Sequence, residues 1–360
     1  MKPIAIFARV SALLLALCCY IQVEAQDPQF SQSYLSRIYL NPATTGSEQG
    51  TSVFVNYRSQ WSKLPHSFNT VSVAVDAQSP RFSSGFGIHA YYDAAGPASI
   101  RTNLAGLTYS YIVKASDNFN IHFGVGASYV HKSLNMDELF FSSDIDPVNG
   151  INSSNNDGTI INEKVNFVDI DAGVLFRFSF KIAKRYVHNS VGFAVHHLTT
   201  PIESFQTEDS RIPRRYTAHF GAMIPVTENI LKKRSVYYIS PIVKYEMQAG
   251  IDIFTAGFFN TFKPLFVGVM YQDNGFTSAG GTRAMIFTGG ISTTFNRYTN
   301  FTLGYSYDLN ISGVSNVTGG VHELAMKFNF EKAALFSNKS KGKKGTDCYK
   351  FKGSGSIRLF

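Results

Sequence analysis

The residues best suited to chemistry in this 360-residue sequence are its histidines and a few carboxylates at alternating positions. His196 and His197 are adjacent. Neighbours in an extended strand point to opposite faces, so the two imidazoles are not expected to share one metal. His89, His122, His131, His219 and His322 stand singly in other stretches, without the clustering a zinc site needs. Asp169, Asp171 and Glu323 fall on one kind of face, and a carboxylate pair there could do general acid–base work. Arg177 shares the face of the two aspartates, so pairing of opposite charges across a polar interior is the competing explanation. Gly-x-Ser-x-Gly, His-Glu-x-x-His and phosphate-cradling glycine loops are all missing. The expectation is a protein with no catalytic, cofactor-binding or metal site, hence not an enzyme.

The N-terminus describes an exported chain. Lys2 and Arg9 precede an apolar run from Val10 to Tyr20, and Val23-Glu24-Ala25 offers a small-residue cleavage site before Gln26. This layout is a secretory signal peptide over residues 1–25, too short to span a membrane as a helix. A lipoprotein signal acylated at Cys18 or Cys19 is the rival, although Leu17 sits poorly before such a cysteine. Removing the signal leaves Cys348 alone, so no intrachain disulfide can form. No later stretch reaches 18 apolar residues in succession.

Composition narrows the fold. There are 31 Phe, 19 Tyr and 29 Gly but one Trp, yet the mean hydropathy is only −0.05. Strands with one apolar and one polar face average out in this way. Fourteen alternating runs follow: Thr51–Gln60, Phe68–Ala77, Ser84–Asp93, Leu104–Lys114, Phe119–Lys132, Asn166–Lys181, Tyr186–Leu198, Arg215–Pro225, Val236–Met247, Ile251–Asn260, Pro264–Asp273, Arg283–Phe295, Asn300–Leu309 and Gly319–Phe330. Each is near the ten or so residues of a tilted membrane strand, and soluble strands are mostly shorter. Lipid leaves an open strand edge unsatisfied, so the expected fold is all-β: a closed, antiparallel transmembrane barrel of about 14 strands over residues 51–330. An even count puts both ends of the barrel strands on one side, expected to be periplasmic along with both termini. The longest connection, Ser133–Val165, and the next, Thr199–Arg214, are then extracellular.

Two segments flank the barrel. Residues 26–50 carry no alternating run but hold Pro28 and Pro42, and either plug the lumen or form a loose strap. Residues 331–360 form a tail with Lys339, Lys341, Lys343 and Lys344. The tail is expected to be solvated in the periplasm; docking to an acidic partner is the alternative. Nucleic acid is not an expected partner of an exported protein.

Five motifs occur in order: Gln26-Asp27-Pro28-Gln29-Phe30-Ser31-Gln32, Asn41-Pro42-Ala43-Thr44-Thr45-Gly46, Tyr57-Arg58-Ser59-Gln60-Trp61, His196-His197-Leu198-Thr199-Thr200-Pro201 and Gly320-Val321-His322-Glu323-Leu324. In these the chain resembles the PorP/SprF family of type IX secretion outer-membrane proteins of the Bacteroidota, from Gln26 to Phe330. The resemblance implies bacterial outer-membrane localisation. It also implies an accessory role in exporting or attaching secreted or adhesin proteins, including those of gliding motility. Implied partners are the cargo, periplasmic and lipoprotein components of the machine, and outer-membrane lipid. Gln29, Phe30, Asn41, Pro42, Arg58, Trp61, His196, His197, Pro201, His322 and Glu323 are the motif positions carried over. The basic tail is longer than the family suggests. The competing function is a solute channel or hydrophobic-compound transporter, since the Asn-Pro-Ala segment is similar to the N-terminal hatch of fatty-acid transporters.

Overall fold

The computed structural model describes residues 27–64, 67–96, 100–135, 145–146, 150–151, 162–182, 185–205, 210–227, 237–277, 281–296, 298–311, 319–333 and 335. The expected signal peptide with its Ala25–Gln26 junction, and the lysine-rich part of the tail, lie outside the described residues.

Alternation of side chains between two unlike surroundings generates long strands, and fourteen of them close into one barrel. They are β1 (Thr51–Gln60), β2 (Phe68–Ser79), β3 (Ser84–Ala95), β4 (Ile100–Ser116), β5 (Phe119–Ser133), β8 (Lys164–Ile182), β9 (Arg185–His196), β10 (Arg215–Thr227), β11 (Tyr237–Gln248), β12 (Ile251–Phe262), β13 (Leu265–Asn274), β14 (Arg283–Asn296), β15 (Thr299–Asn310) and β16 (Val321–Phe330). Two-residue strands β6 (Ile145–Asp146) and β7 (Gly150–Ile151) pair separately within the β5–β8 connection. Every barrel strand is antiparallel to its neighbour in sequence. Closure is made by β1 on β16, from Thr51↔Phe330 to Gln60↔Val321. All fourteen expected runs are present, most of them extended by a few residues.

The barrel is apolar outside and polar inside. On β1 and β2, Ser52, Asn56, Arg58, Thr70, Ser72, Asp76 and Gln78 are buried, while Tyr57, Val71 and Val73 are exposed. Leu107, Phe123, Val125, Val168, Leu265 and Val267 are each more than half exposed. An exterior of this kind suits hydrocarbon rather than water. No helix among the described residues is long and apolar enough to cross a membrane; the strands do the crossing.

Polar inward side chains are buried because residues 27–50 lie inside the barrel. The segment enters at the end carrying connections 134–163 and 197–214, where Asp27 meets His197 and Arg215. It leaves at the opposite end, where Asn329 on β16 donates to the Gln49 carbonyl. Its only regular structure is a helical turn, Arg37–Leu40, and a 3-10 turn, Pro42–Thr44. Proline suits the first position of that turn, where the missing N–H costs nothing. The two ends of the described chain lie at opposite ends of the barrel. Asp27, the first described residue, lies at the long-connection end, whereas Leu335 donates to the Gln78 carbonyl at the other. The physical reason is that the segment must traverse the lumen before β1 can begin.

Two packed clusters hold the segment. Tyr34 and Leu35 join Phe259, Phe266, Met270 and Ile286, and Ile38 packs on Phe54 and Ala74. Elsewhere the wall gives way. A Cβ on Gly124 would collide with the Pro42–Ala43 backbone, and one on Gly173 with the Asn41 amide. Gly289 of β14 has open space where its Cβ would stand. Gly124→Val should therefore destabilise the barrel by about 1–3 kcal/mol through overpacking, whereas Gly289→Val should be near neutral. The temperature at which the folded gel band is lost checks this; equal loss in both variants would contradict the close approach.

Candidate functional site

The motif residues converge on the internal segment, which is where polar groups from distant parts of the chain meet. Three networks bind it, from the long-connection end downwards.

The first is built on His197. It stands just past the end of β9 with φ 56°, and Thr200 follows with φ 42°. Left-handed backbone is costly for a β-branched residue, on the order of 1–3 kcal/mol. This turn swings His197 back toward the lumen beside His196. The expectation that the two imidazoles face opposite ways is thereby corrected: alternation holds only while the strand continues. His196 Nδ1 lies 3.2 Å from Asp171. His197 Nε2 lies 2.6 Å from Asp27 and Nδ1 2.7 Å from Asp169. Arg215 reaches Asp27 at 3.0 Å. Pro201, buried, accepts from Ile212 N–H and fixes the far side of the turn.

Burial alone would lower the His197 pKa, but Asp27 and Asp169 override it and raise it to about 10. Asp27 is depressed well below the ordinary carboxylate range; burial opposes this, and Arg215 and His197 outweigh it. A charged imidazole between two carboxylates is an anchor for the segment, with its ring nitrogens committed. Among the described residues no group of His, Cys, Asp and Glu side chains is placed to hold a metal ion.

The second network centres on Glu323, 1% exposed. Its carboxylate accepts the backbone N–H of Ser31 at 2.7 Å and of Gln32 at 3.0 Å. Arg58 stands 3.1 Å from Glu323 and 3.4 Å from Asp308. Gln32 returns a bond to the Glu323 carbonyl at 3.1 Å. Glu323 therefore does not join Asp169 and Asp171 as a carboxylate pair; all three face the lumen, in separate networks.

Arg37, Glu48, Asp76 and Lys327 form the third. Arg37 lies 3.0 Å from Glu48 and 3.8 Å from Asp76, and Lys327 also pairs with Glu48. Between the second and third, Asn41 donates to the carbonyls of Val174 at 3.1 Å and Phe193 at 3.2 Å, and accepts from Ala43 N–H. Arg177 donates to the Ser47 carbonyl of the segment.

Other motif positions have quieter places. Phe30 is buried and packs on Tyr39, ring centroids 5.5 Å apart. Gln29 lines the cavities next to Asp27 and Arg215. Trp61, with φ 59°, caps β1 and stacks edge-on against Phe68. His322 points outward beside Tyr305 and Tyr307. Sequence reasoning singled out neither Asp27, Arg215 nor Asp308 as site residues. Arg215 and Asp308 signalled themselves only as charges within alternating runs, and Asp27 only as one member of the first motif.

Two outcomes follow. Glu323→Ala leaves Arg58 buried beside a lost partner, a change that costs about 3–5 kcal/mol; protease cleavage within 27–50 should increase in the folded barrel. For His197, with folded pKa raised above 6.5, the contribution is whole below about pH 6.5 and lost as pH rises to about 10. For Asp27, depressed, it is present above the ordinary value of 3.8 and lost on acidification. Anchoring should thus be firmest between about pH 4 and 6.5, read by a fluorophore at Gln29→Cys. A flat profile that His197→Gln leaves unchanged would contradict the anchor.

Solved structures similar in fold include a porin, NanC (10% identity, TM-score 0.37, 78% of this chain and 99% of that one). The translocator domain of the autotransporter NalP from Neisseria meningitidis has 11% identity and a TM-score of 0.39, over 78% and 88% of the two chains. A Pseudomonas aeruginosa FadL homologue has 11% identity and a TM-score of 0.42, over 82% and 94%. No curated protein matches the sequence. The family described as type IX secretion system membrane protein PorP/SprF matches residues 22–328. That span takes in the internal segment, all but the last two residues of the barrel and every network above, and the chain belongs to the PorP/SprF family of type IX secretion system membrane proteins.

Proposed function

We propose that this barrel is an accessory component of the type IX secretion system in the bacterial outer membrane. It helps export secreted or adhesin proteins or attach them to the surface, gliding adhesins among them. The family match over 22–328 carries this reading. The filled lumen supports it, because a protein whose interior is occupied by its own residues 27–50 acts on large partners through its rims. The rim with connections 134–163 and 197–214 is assigned to cargo outside the cell, and the short-turn rim to periplasmic and lipoprotein components. Shorter periplasmic turns are usual in such barrels. The signal peptide over residues 1–25 and a periplasmic place for the lysine-rich tail belong to the same reading.

Deleting the protein and comparing surface and secreted proteins tests the role. Particular cargo should disappear from the surface and accumulate in the periplasm. A variant lacking residues 136–160 should fold and reach the membrane yet lose the same cargo. An unchanged surface protein set after full deletion would refute the reading.

A further inference from the structure

The outward side chains of β4, β5 and β8 change character toward the long-connection end, where strand register stacks them in rows. Leu107, Ala127 and Ile170 form an apolar row, and Ala105, Tyr129 and Val168 the next. Beyond them come Asn103, His131 and Asn166, and then Arg101, Ser133 and Lys164. Asn166 accepts from Tyr129 Oη at 3.0 Å and lies 2.6 Å from His131 Nδ1, so the row beneath the cations is tied to the aromatic one. Apolar, aromatic, neutral polar and cationic is the order in which a bilayer passes from hydrocarbon to headgroup.

Ser133 stands between Arg101 and Lys164. Neighbouring strands lie about 4.8 Å apart, so the two cations start about 10 Å from each other and their long side chains can meet over the serine hydroxyl. Both are exposed, and neither has an ion pair, ring or hydrogen-bond partner among the described residues. Beside Arg101 on β3 stands Ala94, and Lys132, a cation at the same level, turns into the lumen to Glu203. On the opposite wall the rim cation Arg283 is held by Asp273 at 3.2 Å.

Two unpaired cations flanking a hydroxyl suit a phosphate, since a guanidinium binds two of its oxygens and an ammonium adds a point charge. The exposed Leu107, Tyr129 and Val168 beneath them favour a phosphate that carries acyl chains over a free ion. We propose that Arg101, Ser133 and Lys164 dock the phosphate headgroup of an anionic membrane lipid, whose acyl chains lie along Tyr129, Val168 and Leu107. The site requires the barrel to stand in lipid and is independent of the secretion role.

Quenching of a single tryptophan by brominated lipid reads the lipid preference of this wall. Trp61 is the chain's only tryptophan, so full-length protein carrying Trp61→Phe and Tyr129→Trp reports on the site. It is reconstituted in dioleoylphosphatidylcholine vesicles containing dibrominated phosphatidic acid or dibrominated phosphatidylcholine. Phosphatidic acid should associate at position 129 about fivefold more strongly or better, the effect of one basic residue at a membrane surface. Adding Arg101→Gln and Lys164→Gln should bring the ratio to about one. Tyr305→Trp on the far wall should show no preference, and excess inorganic phosphate should leave the preference at position 129 in place. The folded gel band shows which variants are intact. Equal quenching by the two lipids at position 129, or an equal preference at 305, would overturn the proposal. So would a preference that survives in the folded Arg101→Gln/Lys164→Gln barrel, or one that inorganic phosphate removes.

Discussion

A closed sheet of fourteen strands encloses more space than its own inward side chains fill, and the rest of this structure depends on how that space is occupied. The sheet must close because lipid offers no hydrogen-bond partner to a free edge. Closure then creates a polar inner wall, on which Arg58, Asp76, Glu323 and Lys327 are almost wholly buried. Charges in such a place are tolerable only when paired. Residues 27–50 supply the missing partners: Ser31 and Gln32 for Glu323, Arg37 and Glu48 for Asp76 and Lys327, and Asp27 for His197 and Arg215.

The internal segment and the wall are therefore one structure. Strands bring the wall residues into fixed register, and the segment threads between them with almost no regular structure of its own. The glycines mark the closest approaches, as Gly124 does beneath Pro42 and Ala43. An interior arranged in this way leaves the two rims as the surfaces available to large partners, in keeping with a secretion-system family.

The strands were legible in the sequence because each residue faces one of two unlike solvents, and the period of two records that difference directly. The alternation of Val168, Ile170 and Phe180 with Asp169, Asp171 and Arg177 is an example. The face of His197 was not legible, since a single left-handed residue reverses what alternation predicts. The path of residues 27–50 was hidden too. The segment has no period, and its partners are set by register between strands far away; Ser31 and Glu323 are 292 residues apart. The family motifs marked many of the right residues without revealing that they meet. Asp27 and Arg215 needed the fold itself.

Whether residues 27–50 fill the lumen is measured most directly by crosslinking in the outer membrane. Thr45 Oγ1 donates to Thr108 Oγ1 at 2.9 Å, joining the segment to the inner wall of β4. In a Cys348→Ser background, Thr45→Cys with Thr108→Cys should form an intramolecular disulfide on mild oxidation, seen as a faster band in unreduced gels. Both thiols should resist a membrane-impermeant maleimide. Rapid labelling of both positions with no crosslink would place the segment outside the barrel and contradict the account.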